Sequence, residues 1–364
     1  MRKSFIAIIG LISILKFTAI QAQGVSWYKS YFGTIGTYPV ILHLHKMGNT
    51  VNGYYYYQSR MQPLYIIGDD TSAGKNGIQL FSGINTSHEV FTLNLSGKKV
   101  SGTWKKDPEN KAGLPVTLSE KTGNPQFDMI YTTGSLELRP GMEESPAATY
   151  SAAAVWPKDN SLTANLIKRV VNEEFGSKNS TNDIGKVFLE EKKQFFADYM
   201  EENKDFKDSL LKEFTYSYNM DQTQWINIAF HSAKILTLAD MFYSYTGGAH
   251  GNYYTNYISL DLVNNKKLKL SDVLNAAGIK KLNPLLGKYF RKDRGLSLMD
   301  DLSEGGLYEN KIEPNENFFV TTKGIGFSYA PYEIAPYTAG EIVVFIPFTE
   351  LNAYLQPKFK ELIR

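Results

Sequence analysis

The sequence predicts an α+β protein in two parts. An all-β small barrel or sandwich spans 24–122, and helices with an antiparallel sheet span 145–364. Three observations carry this reading. Aromatic residues make up 13% of the chain, with 24 Tyr and 21 Phe, and such rings pack well on a pleated surface. Short apolar runs broken by Gly and Asn recur through the first third, the spacing of a small all-β unit. Helical periodicity then begins only near residue 160 and gives way to alternation, the order of an α+β chain. A length of 364 residues also favours two domains over one.

Residues 1–22 read as an export signal. Arg2 and Lys3 open it, an apolar run covers 5–15, and Ala22 offers a small residue for cleavage near Gln23. That run is shorter than the ~20 residues a membrane-spanning helix needs, so a cleaved signal is expected rather than an anchor. Strand-like runs follow at 40–44, 51–57, 64–67, 78–80, 90–95, 100–104 and 116–118, with turn steps at Gly48-Asn49, Asn76-Gly77 and Ser96-Gly97. The tyrosines of 53–57 and Trp104 are expected to point inward as anchors. A stretch with Pro125 and Pro140 reads as a linker over 123–144, although 127–131 could be extended. Leu162, Leu166, Ile167, Val170, Val171 and Phe175 share one helical face, with Asn160 or Ser161 as the N-cap. A second helix is expected over 188–200. Phe214, Tyr216, Tyr218 and Met220 alternate as in a strand, and 225–245 and 253–263 are extended. Helices are expected over 270–274, 279–290 and 348–355, and strands over 324–329 and 342–346.

Composition excludes several chemistries. There is no cysteine, hence no disulfide, thiolate nucleophile or zinc–thiolate site. The formal charge is +2, but Arg2, Lys3 and Lys16 lie in the export segment. Without them 36 basic residues face 37 acidic ones, so nucleic acid is not an expected partner. No nucleophile elbow, phosphate loop or paired-histidine zinc motif occurs. His43 and His45 lie two apart on a strand, on one face with only His88 near in sequence, and are read as an outward face rather than metal ligands. No cofactor and no metal are expected.

Two aromatic motifs remain. Tyr245 is followed by Gly247, Gly248, His250 and Tyr253, and a later segment carries Tyr332, Glu333, Pro336 and Tyr337. Glycine allows sharp turns and proline stiffens them, so both segments hold rings in fixed places. Tyr245, Gly247, Gly248, His250, Tyr253, Tyr332, Glu333 and Tyr337 are therefore the candidate binding residues. An imidazole and a carboxylate could together act as acid and base if His250 and Glu333 converged. A lone turn histidine packed on tyrosine, and a turn glutamate capping backbone, are the plainer readings.

These motifs, with Asp261-Leu262 and the Leu268, Leu270, Asp272 spacing between them, resemble the RsiV-like family. That domain is shared by the anti-sigma factor RsiV and the accessory region of the deacetylase PdaC. The resemblance covers roughly 145–358 and implies an α+β extracytoplasmic domain, which in RsiV binds lysozyme. It leads to the expectation of an exported, non-enzymatic envelope protein, periplasmic or secreted, that recognises a lysozyme-like protein or a cell-wall glycan. A hydrolase or deacetylase using His250 and Glu333 is the alternative. Neither the anti-sigma segment nor the deacetylase domain is recognisable in this chain, so those activities are not expected with the fold.

Overall fold

The computed structural model describes residues 25–70, 77–82, 89–109, 112–123, 125–177 and 182–364. The expected export segment and His88 lie outside them.

Eight antiparallel strands form a closed barrel: β1 (Ser26–Ile35), β2 (Tyr38–Met47), β3 (Thr50–Tyr57), β4 (Leu64–Asp69), β5 (Gly77–Ser82), β6 (Glu89–Ser96), β7 (Lys99–Lys105) and β8 (Leu114–Glu120). Closure comes from β8 pairing back on β1, from Tyr31↔Glu120 to Ile35↔Val116. Eight strands enclose a space just wide enough for side chains to fill. Val40, Leu42 and Leu44 of β2, Tyr55, Leu80 and Phe91 fill it here. Side chains alternate along a strand, which corrects the expectation for the tyrosine run. Tyr55 and Tyr57 pack into the barrel, while Tyr54 and Tyr56 point out of it and join other clusters. Gly53 is required where strands approach, since a Cβ there would lie 1.9 Å from the His43 carbonyl oxygen.

The second part is built on a six-stranded sheet. Its strands are β9 (Phe127–Glu137), β10 (Ala147–Pro157), β11 (Met220–His231), β12 (Ile235–Tyr245), β13 (Asn252–Asp261) and β14 (Lys266–Lys267), in the order β14-β13-β12-β11-β10-β9. Neighbours are antiparallel except β10 and β11, so the sheet is mixed rather than wholly antiparallel. A parallel pair needs a long crossover. Here it consists of α1 (Leu162–Glu174), α2 (Ile184–Glu202) and the short α3 (Asp208–Glu213). Ser161 caps α1, its side chain accepting from the Ala164 N–H. The chain continues through α4 (Leu270–Val273), α5 (Ala276–Lys280) and α6 (Leu282–Arg294) to a three-stranded sheet. That sheet comprises β15 (Phe318–Val320), β16 (Gly324–Tyr329) and β17 (Ile342–Pro347), and α7 (Pro357–Leu362) ends the chain.

α1 and α2 cover one face of the large sheet, with Leu166, Ile167, Val170 and Phe188 in one core with Leu236, Leu238, Ile258 and Leu260. On the other face the barrel lies over β9 and β11, and the three-stranded sheet lies over β12 and β13. Tyr257 of β13 packs on Phe319 at 4.7 Å, and the Thr237 hydroxyl donates to the Val320 carbonyl at 2.8 Å.

Three segments differ from the sequence reading. Residues 127–137, within the stretch read as a linker, form β9 and pair with β10 along its whole length. The alternation at 214–218 is not a strand. The segment is a 3-10 turn over Thr215–Tyr218 with Phe214 and Tyr216 exposed, so no sheet face selects the alternation. Residues 348–355 are a turn and a short 3-10 segment, with Leu355 bridged to Leu274. Pro357 begins α7 and keeps Gln356 extended, because the residue before proline avoids helix.

The outward face of β2 is not solvent. His43 and His45 are 1% and 0% exposed, sealed against the large sheet. His45 Nε2 accepts from the Ile228 N–H of β11 at 3.0 Å. His43 lies between the hydroxyls of Tyr28, at 2.8 Å, and Tyr56, at 3.0 Å. We propose that 24–122 and 145–364 are separate folding units joined at this seam, the second extended back to residue 127 because β9 pairs with β10 along its whole length. Cleavage of the exposed stretch at 121–123 is then expected to leave two fragments that co-elute in gel filtration, held by the buried seam. Clean separation into two soluble, folded fragments would count against the seam as a structural joint.

Candidate functional site

The loop between β12 and β13 turns on Gly247 and Gly248, at φ of 87° and 97°. These are angles that side-chain-bearing residues rarely adopt. A Cβ on Gly247 would also meet the Ser217 carbonyl oxygen at 2.4 Å. The Tyr245 hydroxyl sits 3.0 Å from the Gly248 carbonyl oxygen and 3.2 Å from that of Tyr216, pinning the loop to the 3-10 turn below it. This geometry presents His250 outward.

The second motif meets it there. The His250 ring stacks on Tyr337 with centroids 3.7 Å apart and planes 18° from parallel. His250 Nε2 is 3.1 Å from the Tyr332 hydroxyl and Nδ1 is 3.1 Å from the Gly251 carbonyl oxygen. A proton on Nδ1 satisfies both contacts, with Tyr332 donating. The Tyr337 hydroxyl donates to the same Gly251 carbonyl at 2.8 Å, and Tyr253 meets Tyr337 edge-on at 5.8 Å. Tyr332 holds φ at 72°, a strained value for a side-chain-bearing residue, yet is 53% exposed. Strain retained at an exposed position is a recurrent property of binding and switch regions. The loops thus bring together Tyr245, Gly247, Gly248, His250, Tyr253, Tyr332 and Tyr337.

Glu333 is occupied elsewhere. Its Oε1 accepts from the Asn315 amide at 2.8 Å and its Oε2 from the Ala330 N–H at 2.9 Å, so the carboxylate caps its own loop. The carboxylate that ties the corner together is Glu341, which the motif reading passed over. It accepts from the Thr255 N–H at 3.1 Å and the Thr255 hydroxyl at 2.9 Å, and from the Ser328 hydroxyl, linking β13 to β16. Burial pushes its carboxyl above the usual range, and the Ser328 and Thr255 bonds oppose that shift. Asn317 completes the clamp. It accepts from the Tyr257 N–H at 2.9 Å and donates to the Thr255 carbonyl at 2.7 Å. The signal for Glu341 was its place just past Gly340, at the start of an apolar strand, where a charge needs partners. Asn317 carried no comparable mark.

Asp240 of β12 was also missed. It is 4% exposed, both oxygens lie 3.1 Å from the Gln224 amide nitrogen, and burial pushes its carboxyl up to about 7. It faces the C-terminal end of α1, where Gln224 also donates to the Glu174 carbonyl at 3.1 Å. A charge inside an otherwise apolar strand was the available signal.

Comparison with known proteins agrees with the motifs. Residues 144–253 match the family profile described as Deacetylase PdaC, and residues 271–349 match that of a protein of unknown function, DUF3298. The His250 motif falls in the first segment and the Tyr332–Tyr337 motif in the second. The pair indicates an extracellular-type domain family without a characterised activity. A solved DUF3298-family structure from Bacteroides fragilis is similar at 25% identity, with a TM-score of 0.58 over 66% of this chain and 98% of that one. Another, from Pseudomonas aeruginosa, aligns at 17% identity with a TM-score of 0.45, over 64% and 95%. No curated protein matches the chain. Among the described residues no helix is long and apolar enough to cross a membrane.

Proposed function

We propose that this is an exported, non-enzymatic binding protein of the cell envelope, whose contact face is the corner built by His250, Tyr332 and Tyr337. The observation that supports it is the stack itself: three rings held by hydrogen bonds to backbone and to one another, with His250 and Tyr332 turned to solvent over a half-buried Tyr337. Tyrosine gives broad contact area with few torsions to freeze, so a pre-stacked set loses little entropy on binding. The partner is a lysozyme-like protein or a cell-wall glycan fragment, in keeping with the resemblance to the RsiV-like family. The hydrolase or deacetylase reading has weaker support. Both nitrogens of His250 face Gly251 and Tyr332, and the two oxygens of Glu333 are taken by the Ala330 N–H of its own turn and by Asn315.

The test measures two quantities on the same variants. Tyr337→Ala and His250→Ala are each expected to weaken capture of lysozyme or muropeptides by about 1–3 kcal/mol, the range of an interface hot spot. The melting temperature of His250→Ala should change little, because that ring is exposed, and removing the half-buried Tyr337 ring should cost only a modest part of the stability. Melting that collapses without a separable binding defect would make the corner architecture only, and the reading would fall.

A further inference from the structure

The barrel and the three-stranded sheet stand side by side on the large sheet and leave a cleft of about 890 Å³ between them. Its floor is Trp225, Met241, Tyr243, Tyr253 and Thr255. Strand pairing puts these on one face: Trp225 opposes Met241, Met241 opposes Thr255, and Tyr243 opposes Tyr253. Tyr65 and Gln62 form the barrel wall, and Val343 with Asp293 and Arg294 of α6 form the other. The volume lies in the range of small-ligand sites, which bury a ligand among aromatic side chains with a few polar groups.

The chemistry of the lining narrows the ligand. The floor offers ring faces whose rims carry hydroxyls, interleaved with Thr223 and Thr255. A pyranose has the complementary pattern, with a flat C–H face to lie on a ring and hydroxyls around its edge to meet Tyr, Gln and carboxylate groups. Tyrosine and tryptophan suit this because each has an apolar body and a polar tip. Charge argues against an anion: Arg294 stands beside Asp293, and Glu341 lies in the same cleft. An extended peptide is the competing occupant, since β17 is an edge strand of its sheet. Of β17, however, only Ile342, Val343 and Val344 reach the cleft, a short run for main-chain pairing.

We propose that this cleft is a binding site for an uncharged oligosaccharide chain, adjoining the His250 corner at Tyr253. The site goes beyond the corner reading and does not depend on it. The test uses the full exported chain with chitohexaose, cellohexaose and maltohexaose as probes, followed by calorimetry and by tryptophan fluorescence. At least one probe is expected to bind saturably and to shift the emission. Trp225→Phe should abolish most of that shift while the heat of binding remains. Tyr243→Ala should weaken binding about tenfold, a loss equivalent to about 1.4 kcal/mol. Because Tyr243 also packs beside Gly251, Thr223→Trp, which fills the floor while leaving Tyr243 and Gly251 in place, should weaken binding as well. Capture of lysozyme is measured in parallel, so failure at the corner and failure at the cleft are read separately. The proposal is overturned if none of the three sugars binds saturably at millimolar concentration. It is also overturned if binding survives both Tyr243→Ala and Thr223→Trp, or if an unstructured peptide occupies the cleft in preference to all three.

Discussion

Acid should loosen the joint between the barrel and the large sheet well before it unfolds a chain lacking buried histidines. His45 is fully buried and its pKa is pushed down to about 3 by burial; His43 is likewise held well below its ordinary 6.5, by burial first and by His231 and His45 next. Both imidazoles are therefore neutral in the folded protein. In the unfolded chain they take up protons below about pH 6.5. Between that pH and the depressed folded values the unfolded state binds more protons, so stability falls as pH falls. At pH 4 His45 is expected to remove about 3 kcal/mol relative to pH 7, at 1.36 kcal/mol per unit of pKa difference, and His43 acts in the same direction. His45→Gln keeps an acceptor for the Ile228 N–H and cannot be protonated. Chemical denaturation of the wild type and His45→Gln across pH 4–7 isolates the contribution as a difference. That difference should grow in favour of the variant as pH falls, and a pH-independent difference would show that the buried imidazole is not the source.

The barrel was legible in the sequence because its strands alternate and its turns carry Gly and Asn. The seam was not. A residue pointing out of a barrel looks the same in sequence whether water or another sheet covers it, so His43 and His45 could be assigned a side but not a neighbour, and the unbroken tyrosine run hid that Tyr54 and Tyr56 point outward with them. The 127–137 strand was obscured by flanking prolines, although Pro125 precedes the strand and Pro140 follows it, where neither removes a ladder bond. At 214–218 the error ran the other way. Alternation was present, but with Phe214 and Tyr216 exposed no buried face enforced it.

The candidate site shows the same division. Gly247, Gly248 and Pro336 announced rigid turns, and the aromatic residues beside them announced what those turns carry. Composition therefore pointed to His250, Tyr332 and Tyr337, which stack together across eighty-odd residues of chain. The roles of the carboxylates were harder to read. Glu333 was prominent because it stood alone inside a motif, yet it caps its own loop. Glu341 and Asp240 are held by partners from other strands, and that information resides in the register rather than in the local sequence. The cleft floor falls between these cases. Tyr243, Tyr253 and Thr255 follow the period of two along their strands, but only the pairing of β11, β12 and β13 places them beside Trp225.

Replacing Asp240 by Asn should stabilise the protein at pH 8, the reverse of the usual outcome for a buried polar substitution. The Asp240 carboxyl is pushed up to about 7 by burial, which the Gln224 hydrogen bond opposes and the nearby Glu174 charge reinforces to a lesser extent. In the unfolded chain it ionises near its ordinary value of 3.8. Between these two values the folded state binds the extra proton. Stability contributed by this group is complete below the unfolded value and is lost as pH rises through the folded one. Its sign is opposite to that of the histidines, which is why the two effects must be separated by variants rather than read from one curve. At pH 8 the ionised, buried carboxylate is expected to cost roughly 4 kcal/mol, from the size of the pKa difference. Asn has nearly the same shape, stays neutral, and keeps an oxygen for the Gln224 amide that now lies 3.1 Å from both carboxylate oxygens. Asp240→Asn should therefore gain most of that amount at pH 8 and progressively less toward pH 4. Denaturant titrations of both proteins at several pH values give the gain directly. If the two proteins keep a constant offset from pH 4 to pH 8, Asp240 is ionised in the fold throughout, and its burial beside Glu174 is compensated by contacts other than Gln224.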